Sequence, residues 1–568
     1  MNKKWVLKRE SNPEALKILE ETLNINPILC QLLINRGINT YEKAKIFFRP
    51  ELNQLHSPYL MKDMDVAVTS VMNHLENQNR IMVYGDYDVD GTTSVTLLFD
   101  FLSQFTSQIE YYIPDRYAEG YGVSDLGIET AKKNNCKLII SLDCGIKAID
   151  KVQKAKDYGI DFIICDHHRP GSVLPNATAV LDPKRLDCSY PYKELSGCGV
   201  GFKLVQAIAL AKDIPFTALH QYLDLLAISI GADIVSMTGE NRVLSHFGLQ
   251  VLNQNPRPGL KAFLPEIPPE KHHELTITDV VFKIAPRINA AGRISHAHKA
   301  VELLLEKDAT SAKRFAKEID EFNKERKDLD LNITKEALDM LENEDSTWTT
   351  VVFNKDWHKG VIGIVASRLI ENFYRPTIVF TEKDGKLTGS ARSIPNFDMY
   401  EALNACSEHL LQFGGHYFAA GMTLKKEKLN DFKLAFENYA SKILQEEDLV
   451  EKIQIEHELE VSQITPEFYS IVKQLEPHGP DNLHPIFGAK QVVSSTWSRT
   501  LGAENEHLSL SVYEKNYPRK NVRAIAFKMG HMFPQVSIAP RFALAYTISE
   551  NIWKDKRNLQ LMVKDIKV

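Results

Sequence analysis

The stretch Ile81-Met-Val-Tyr-Gly-Asp-Tyr-Asp-Val-Asp-Gly91 joins a short apolar run to a loop with carboxylates at alternate positions, Asp86, Asp88 and Asp90. Four apolar residues are too few for a buried helix and suit a strand covered on both faces. The construction recurs: Leu138–Leu142 runs into Asp143-Cys144-Gly145, and Phe162–Cys165 runs into Asp166-His167-His168. A further short run, Ile109–Ile113, and segments of helical periodicity such as Thr93–Leu102 and Ile149–Tyr158 alternate with these. Strands alternating with helices predict an α/β lobe built on a doubly wound parallel sheet. Ligands of such sheets bind outside the carboxyl ends of the strands. Asp88, Asp90, Asp143, His167 and His168 are therefore expected around one crevice.

Outward from this lobe, expected over residues 76–309, the chain changes character several times. Residues 1–75 read as a polar helical segment with amphipathic pieces at Ala15–Leu23 and Tyr41–Phe48. Residues 310–345 are charged, with apolar residues at helical spacing and no glycine or proline, and predict one long linking helix. A smaller α/β lobe is expected over 346–448, beginning at Thr350. After the acidic linker around residues 445–452, the region 449–568 turns into short alternating strands, among them Leu508–Tyr513, Val522–Phe527, Arg541–Ile548 and Leu559–Val563. That pattern suits a small β-barrel.

Lys and Arg number 68 against 74 Asp and Glu, a net charge of −6, which excludes a histone-like basic surface. Nucleic-acid contact must come from local basic patches. With 44% hydrophobic and 25% charged residues the 568-residue chain has an ordinary globular composition. Seven cysteines without a C-x-x-C pair argue for a reducing compartment. No apolar stretch follows the charged N-terminus and none is long enough for a bilayer, so the expectation is a cytoplasmic protein with no membrane association.

Hard carboxylate oxygens with one or two imidazoles suit a pair of Mn²⁺ or Mg²⁺ ions better than a closed zinc site. Two such ions about 3.5–4 Å apart activate water for phosphoryl transfer. Asp233, closing the apolar segment Leu225–Asp233, needs a partner because a lone buried carboxylate is costly. An EF-hand is the competing reading of Asp86-x-Asp88-x-Asp90-Gly91, but its twelfth position is Leu97 where a bidentate glutamate is required. Asp143 could instead cap a helix starting near Ile146.

These motifs together resemble the DHH phosphoesterase superfamily and, within it, the RecJ-type single-strand-specific exonucleases. The resemblance extends to Pro286–Arg293 (PRINAAGR), His358–Arg368 and Gly414–Gly421, the last two like an accessory DHHA1-type lobe, and to Glu476–Pro485 before an OB-type barrel. It implies that Asp88 holds a first metal and Asp90 a second, with Asp143 bridging both. His167 and Asp233 would complete the second metal's shell. His168 would face the scissile phosphate, supported by Asp166 and Asp86. Some members carry a histidine four residues before the Asp-x-Asp pair, where this chain has Tyr84. That departure predicts a less tightly held first ion.

The strand would be held elsewhere. Gly414-Gly415 and His416 read either as an anion cradle or as a tight turn, and the resemblance favours the cradle. Arg392 and Ser390, in Gly389–Ser393, offer a phosphate fork. Arg287, Asn289 and Arg293 flank the small residues Ala290–Gly292 and read equally as a salt-bridged loop. In the barrel region, Trp497, Tyr513, Tyr517 and Trp553 lie among Arg499, Lys515, Arg519, Lys520, Arg523, Lys554, Lys556 and Arg557, a stacking platform for a single strand.

The resemblance implies a metal-dependent 5′ to 3′ exonuclease that degrades single-stranded DNA to mononucleotides in repair and recombination. It further implies a monomer served by a single-strand-binding protein or a helicase. Rival readings are a DHH-type phosphodiesterase of short oligoribonucleotides or cyclic dinucleotides, and a non-catalytic single-strand-binding scaffold.

Overall fold

The computed structural model describes residues 3–8, 12–264, 274–342, 347–553 and 556–568. The chain divides into two compact units, one formed by Glu321–Gln454 with the residues up to Val6, the other by Leu7–Asp320 with Ile455–Val568.

The larger unit is built on a five-stranded sheet in the spatial order Ile109–Tyr112, Arg80–Gly85, Cys136–Leu142, Asp161–Cys165, Ala179–Leu181. All its pairings are parallel. The central strands are buried along nearly their whole length, which explains why they read as unbroken apolar runs. Val89–Leu102, Gly197–Ala211 and Leu223–Asp233 are the buried helices beside the sheet. Asp88 caps the first with its own carboxylate and Ser196 caps the second with its hydroxyl.

The same unit contains the expected barrel. Phe487–Ser494, Phe542–Trp553, Lys556–Lys567, Val522–Ala526 and His507–Glu514 pair in that order, and Phe487–Ser494 pairs again with His507–Glu514, so the ring closes. The first of these strands was not legible in the sequence. Residues 1–75 are mostly helical, with Pro13–Leu23, Pro27–Ile34, Tyr41–Phe48 and Met64–Glu76, but they also include a strand, Lys4–Leu7. Leu19, Leu32 and Leu33 from these helices share one core with Phe468, Phe487, Leu508 and Leu544 of the barrel region. The N-terminal helices thus cover an apolar face of the barrel that lies more than four hundred residues away in sequence.

The charged segment forms a single helix, Ala309–Leu341, and the expected residues 343–345 lie outside the described ones. The smaller unit has a mixed sheet in the order Gln412–Gly415, Ala419–Lys425, Lys386–Arg392, Thr377–Lys383, Thr350–Phe353. Only its last pair is parallel. Phe380, Phe397, Phe432 and Phe436 fill one core of this unit. Trp357 packs in a second one with Val361 and Leu369, buried, and donates its indole N–H to Glu336 at 2.8 Å. All seven cysteines are buried and free. Among the described residues no helix is long and apolar enough to cross a membrane.

Candidate metal centre

Progress through the parallel sheet reverses at the strand Arg80–Gly85, whose neighbours are the second and third strands of that sheet in chain order. The crevice between Arg80–Gly85 and Cys136–Leu142 is the topological switch point of a doubly wound sheet. The first of these strands delivers Asp86, Asp88 and Asp90, and the second delivers Asp143.

Asp88 accepts a hydrogen bond from Gly91 N at 3.0 Å as the helix cap. Asp90, two residues on in the first turn of the helix, is buried and gripped from the other side. Gly197 N donates at 2.7 Å, Cys198 N at 2.8 Å and Ser229 Oγ at 2.7 Å. The two amides open the helix Gly197–Ala211, whose positive end suits an anion. Asp143 has a left-handed backbone (φ 60°), and a Cβ at Gly197 would lie 2.6 Å from its own Cβ, so glycine is required there. This conformation also overturns the capping alternative for Asp143: the following helix is Ile149–Asp157, capped at Ala148.

Asp166 is the organiser of the histidine pair. It accepts from Ile146 N (2.9 Å), His167 N (2.8 Å), His168 N (3.1 Å) and His168 Nδ1 (2.8 Å). His167 Nε2 comes to 3.2 Å from Asp143 Oδ1, 3.6 Å from Asp233 Oδ2 and 3.8 Å from Asp90 Oδ2. Two groups of ligand atoms result, each within 4.8 Å: Asp143 with His167 and His168, and Asp90 with His167 and Asp233. Asp88 belongs to neither group, although its charge is felt at Asp86, Asp90, Asp143 and Asp233.

Asp143 Oδ1, Asp86 Oδ2 and both ring nitrogens of His167 are buried without a hydrogen-bond partner. Buried polar atoms are rarely left so. The three carboxylates of Asp90, Asp143 and Asp233, converging with the His167 imidazole, fit hard divalent cations. The electrostatics agree. Burial, then Asp90 and Asp88, push Asp143 well above the usual carboxylate range. Asp90 rises to about 6 through burial and Asp88, and burial holds His167 down at about 3. Burial also opposes the charged forms of Asp166 and His168, but their mutual hydrogen bond outweighs it, so Asp166 falls and His168 rises to about 9.

Tyr84 supplies no ligand. Its ring stacks on Tyr112 at 5.3 Å, and its hydroxyl donates to Gly122 O at 2.9 Å while accepting from Ser124 N at 3.0 Å. Gly122 N in turn donates to Asp86 Oδ1 at 3.4 Å. Sequence reasoning missed Tyr121, whose hydroxyl lies 3.0 Å from His168 Nε2, and Arg116, stacked 4.2 Å over Tyr87. Neither has a sequence signal. Asp182 did have one, since it follows the fifth short strand of the sheet, Ala179–Leu181, and it is buried and pushed up to about 7 by that burial.

Arg287, Asn289 and Arg293 stand on a helix, Ala285–Ile294, not on a loop. Arg287 is tied to Asp320 at 3.1 Å and donates to Phe263 O at 3.0 Å. The Arg293 carbonyl accepts from Tyr117 Oη, and Asn289 is half-buried. A Cβ at Gly292 would lie 2.8 Å from Tyr87 O, which brings this helix against the acidic loop.

In the smaller unit, Ser390, Gly421 and Gly414 are register partners across three strands, as are Arg392 and Ala419 across two. Nothing would obstruct a Cβ at Gly414, so the row is an open, backbone-floored trough. Arg392 borders it, donating to Ser390 Oγ at 3.2 Å and to Ala391 O at 2.7 Å. Gly415 is strained for any side chain (φ 153°, with Ala419 O 2.4 Å from a Cβ), and His416 N donates to Ala419 O at 2.8 Å. Gly414 and Gly415 thus end the strand Gln412–Gly415, and the turn into Ala419–Lys425 follows them at residues 416–418. In the barrel, Trp497 is 81% exposed and Tyr517 51%. Lys554 lies outside the described residues.

Family models match in the order of the fold: the DHH family N-terminal domain over residues 80–230, the DHHA1 domain over 345–442 and the RecJ OB domain over 455–565. The single-stranded-DNA-specific exonuclease RecJ of Bacillus subtilis (strain 168) is 37% identical over 568 residues, 100% of this chain and 71% of that protein. The chain belongs to the RecJ family. The RecJ of Escherichia coli (strain K12) is 31% identical, covering 95% of this chain and 96% of the relative. A crystal structure of RecJ with Mn²⁺ from Thermus thermophilus superposes with a TM-score of 0.85 at 27% identity, over 100% of this chain and 79% of that one. Its Mg²⁺ complex gives 0.79 at 26% identity, over 100% and 78%. The RecJ-family fold accounts for the parallel-sheet lobe, linking helix, smaller lobe and OB-type barrel anticipated from the sequence.

Proposed function

We infer that this chain is a metal-dependent exonuclease that hydrolyses single-stranded DNA from the 5′ end to mononucleotides. The observation that carries this reading is the set of buried carboxylate oxygens and imidazole nitrogens without a hydrogen-bond partner at the sheet's switch point, in a chain whose full length aligns with RecJ exonucleases. Bound Mn²⁺ or Mg²⁺ ions would supply water activation and charge stabilisation at phosphorus. The chain's own residues do the rest. Asp90, His167 and Asp233 would hold one ion and Asp88 the other, with Asp143 serving both. His168, oriented by Asp166, donates to the scissile phosphate, and Asp86 steadies the acidic loop. Ser390, Arg392, Gly414, Gly415 and His416 hold the strand's phosphates, and Arg287, Asn289 and Arg293 line its path on the helix beside the acidic loop.

The reading includes domains at 1–75, 76–309, 310–345, 346–448 and 449–568, action as a cytoplasmic monomer, and recruitment by a single-strand-binding protein or a helicase. A barrel with exposed Trp497 and Tyr517 favours a polynucleotide over a short oligoribonucleotide or cyclic dinucleotide. Degradation of 5′-labelled and 3′-labelled single strands with Mn²⁺, Mg²⁺ or chelator tests it. Early release of labelled mononucleotide from the 5′-labelled strand alone, abolished by chelator, is expected. Release from the 3′ label first would overturn the polarity, and activity in chelator would overturn the metal dependence.

A further inference from the structure

The segment Glu476–Pro485 reads in the sequence as a lead-in to the barrel, yet it is bonded to the loop that follows Asp233. Asp233 closes the helix Leu223–Asp233, and among the described residues no hydrogen bond orients its carboxylate. Asp90, by contrast, is held by three donors. The place of Asp233 is therefore set by its backbone. The next residue, Ile234, is left-handed (φ 59°) and 64% exposed, a costly conformation for a β-branched side chain. Such a turn persists only where its surroundings fix it.

They do so a few residues further on. Met237 N donates to Pro480 O at 2.8 Å, and a Cβ on Gly479 would lie 3.0 Å from Met237 Cβ, so the segment and the loop are in close contact. The segment is itself pinned by side chains. Asn482, 1% exposed, donates from Nδ2 to the carbonyls of Leu475 and Pro477, both at 2.8 Å. Arg242 Nη1 donates to the same carbonyls at 2.8 and 3.3 Å, and Arg36 Nε donates to Asn482 Oδ1 at 2.9 Å.

We propose that Asn482 and Arg242 are positioning residues for the metal centre: by shaping the segment that receives Met237 N–H, they hold Asp233 opposite Asp90 and His167. The lead-in to the barrel is then part of the machinery that loads the second ion. This rests on the two-ion reading above. Groups that orient metal ligands from outside the ligand shell typically change affinity by about 10–100-fold.

The test uses full-length protein and Mn²⁺ alone, with free Mn²⁺ followed by electron paramagnetic resonance. Wild type should bind two ions. Asn482→Ala should keep one at wild-type affinity and bind the other about 10-fold or more weakly. Leu544→Ala thins the barrel core without touching the segment and should keep both affinities despite lower stability. Arg242→Lys keeps the charge but loses the fork, and should repeat the selective loss even if Asn482→Ala fails to fold. Two unchanged sites in Asn482→Ala or Arg242→Lys, or an equal loss in Leu544→Ala, would overturn the proposal. Wild type binding fewer than two ions would overturn the two-ion reading, and this proposal with it.

Discussion

Replacing Asp233 by Asn keeps the side chain's volume and removes one charge from the crowded end of the sheet. Asp90 and Asp233 offer oxygens within 4.8 Å of each other and of His167. Two like charges at that separation repel by about 3 kcal/mol at an effective dielectric constant of about 20. Burial, then Asp90 and Asp88, hold the Asp233 proton on well above the ordinary carboxylate range, and burial and Asp88 raise Asp90 to about 6. For an acid whose folded value is raised, stability is complete below the unfolded value near 4 and is lost as pH rises through the folded value. With ions chelated, wild type should therefore lose stability from about pH 4 upward. Asp233→Asn should lose less and by pH 8 be the more stable protein by up to about 3 kcal/mol. Saturating Mn²⁺ should reverse the order, because the ions bind the folded wild type and stabilise it by mass action. Turnover should fall by about two to three orders of magnitude, the few kcal/mol a catalytic ion supplies. Guanidinium melts in chelator and in Mn²⁺, at pH 6 and pH 8, read the crossover. A variant no more stable than wild type in chelator at pH 8 would refute the like-charge argument. More than a tenth of wild-type turnover would refute Asp233 as a ligand.

His168→Ala should lower turnover with both ions still bound, whereas His167→Ala should empty the second site; equal metal loss in both, measured by Mn²⁺ stoichiometry, would refute the division of roles. Arg392→Ala should raise KM for a long single strand by about 10–100-fold, the worth of a charge-assisted phosphate contact, and lower the salt slope of binding by about one. A change confined to kcat would place Arg392 elsewhere. His478 and His484 lie 4.5 Å apart in the barrel lead-in, and burial lowers His484 to about 4 and holds His478 well below the usual histidine range. Their neutral forms are favoured above the unfolded value near 6.5, so acid should remove about 3 kcal/mol at His484 between pH 6.5 and 4. His484→Gln should flatten that loss in urea melts, and an unchanged pH profile would refute it.

The sheet was legible in the sequence because its central strands are buried on both faces and run into acidic residues. Val83-Tyr84 before Asp86, Leu142 before Asp143 and Cys165 before Asp166 are local patterns, and a parallel sheet places all strand ends on one edge. The long helix was equally legible, since apolar spacing without glycine or proline is also a local property. What required tertiary structure was every relation between distant segments. The amides that hold Asp90 come from Gly197 and Cys198, and only the packing of two helices brings them there. The apolar residues of Pro13–Leu23 and Pro27–Ile34 show an amphipathic face, but not that the barrel is what they cover. Arg287 reads as a candidate phosphate ligand by residue type, and its pairing with Asp320 follows from a fold contact no periodicity encodes. Residue type and spacing fix which chemistry a chain can perform, because burial and hydrogen-bond valence are properties of side chains. Which donors meet which acceptors across hundreds of residues depends on how the packed elements close on one another.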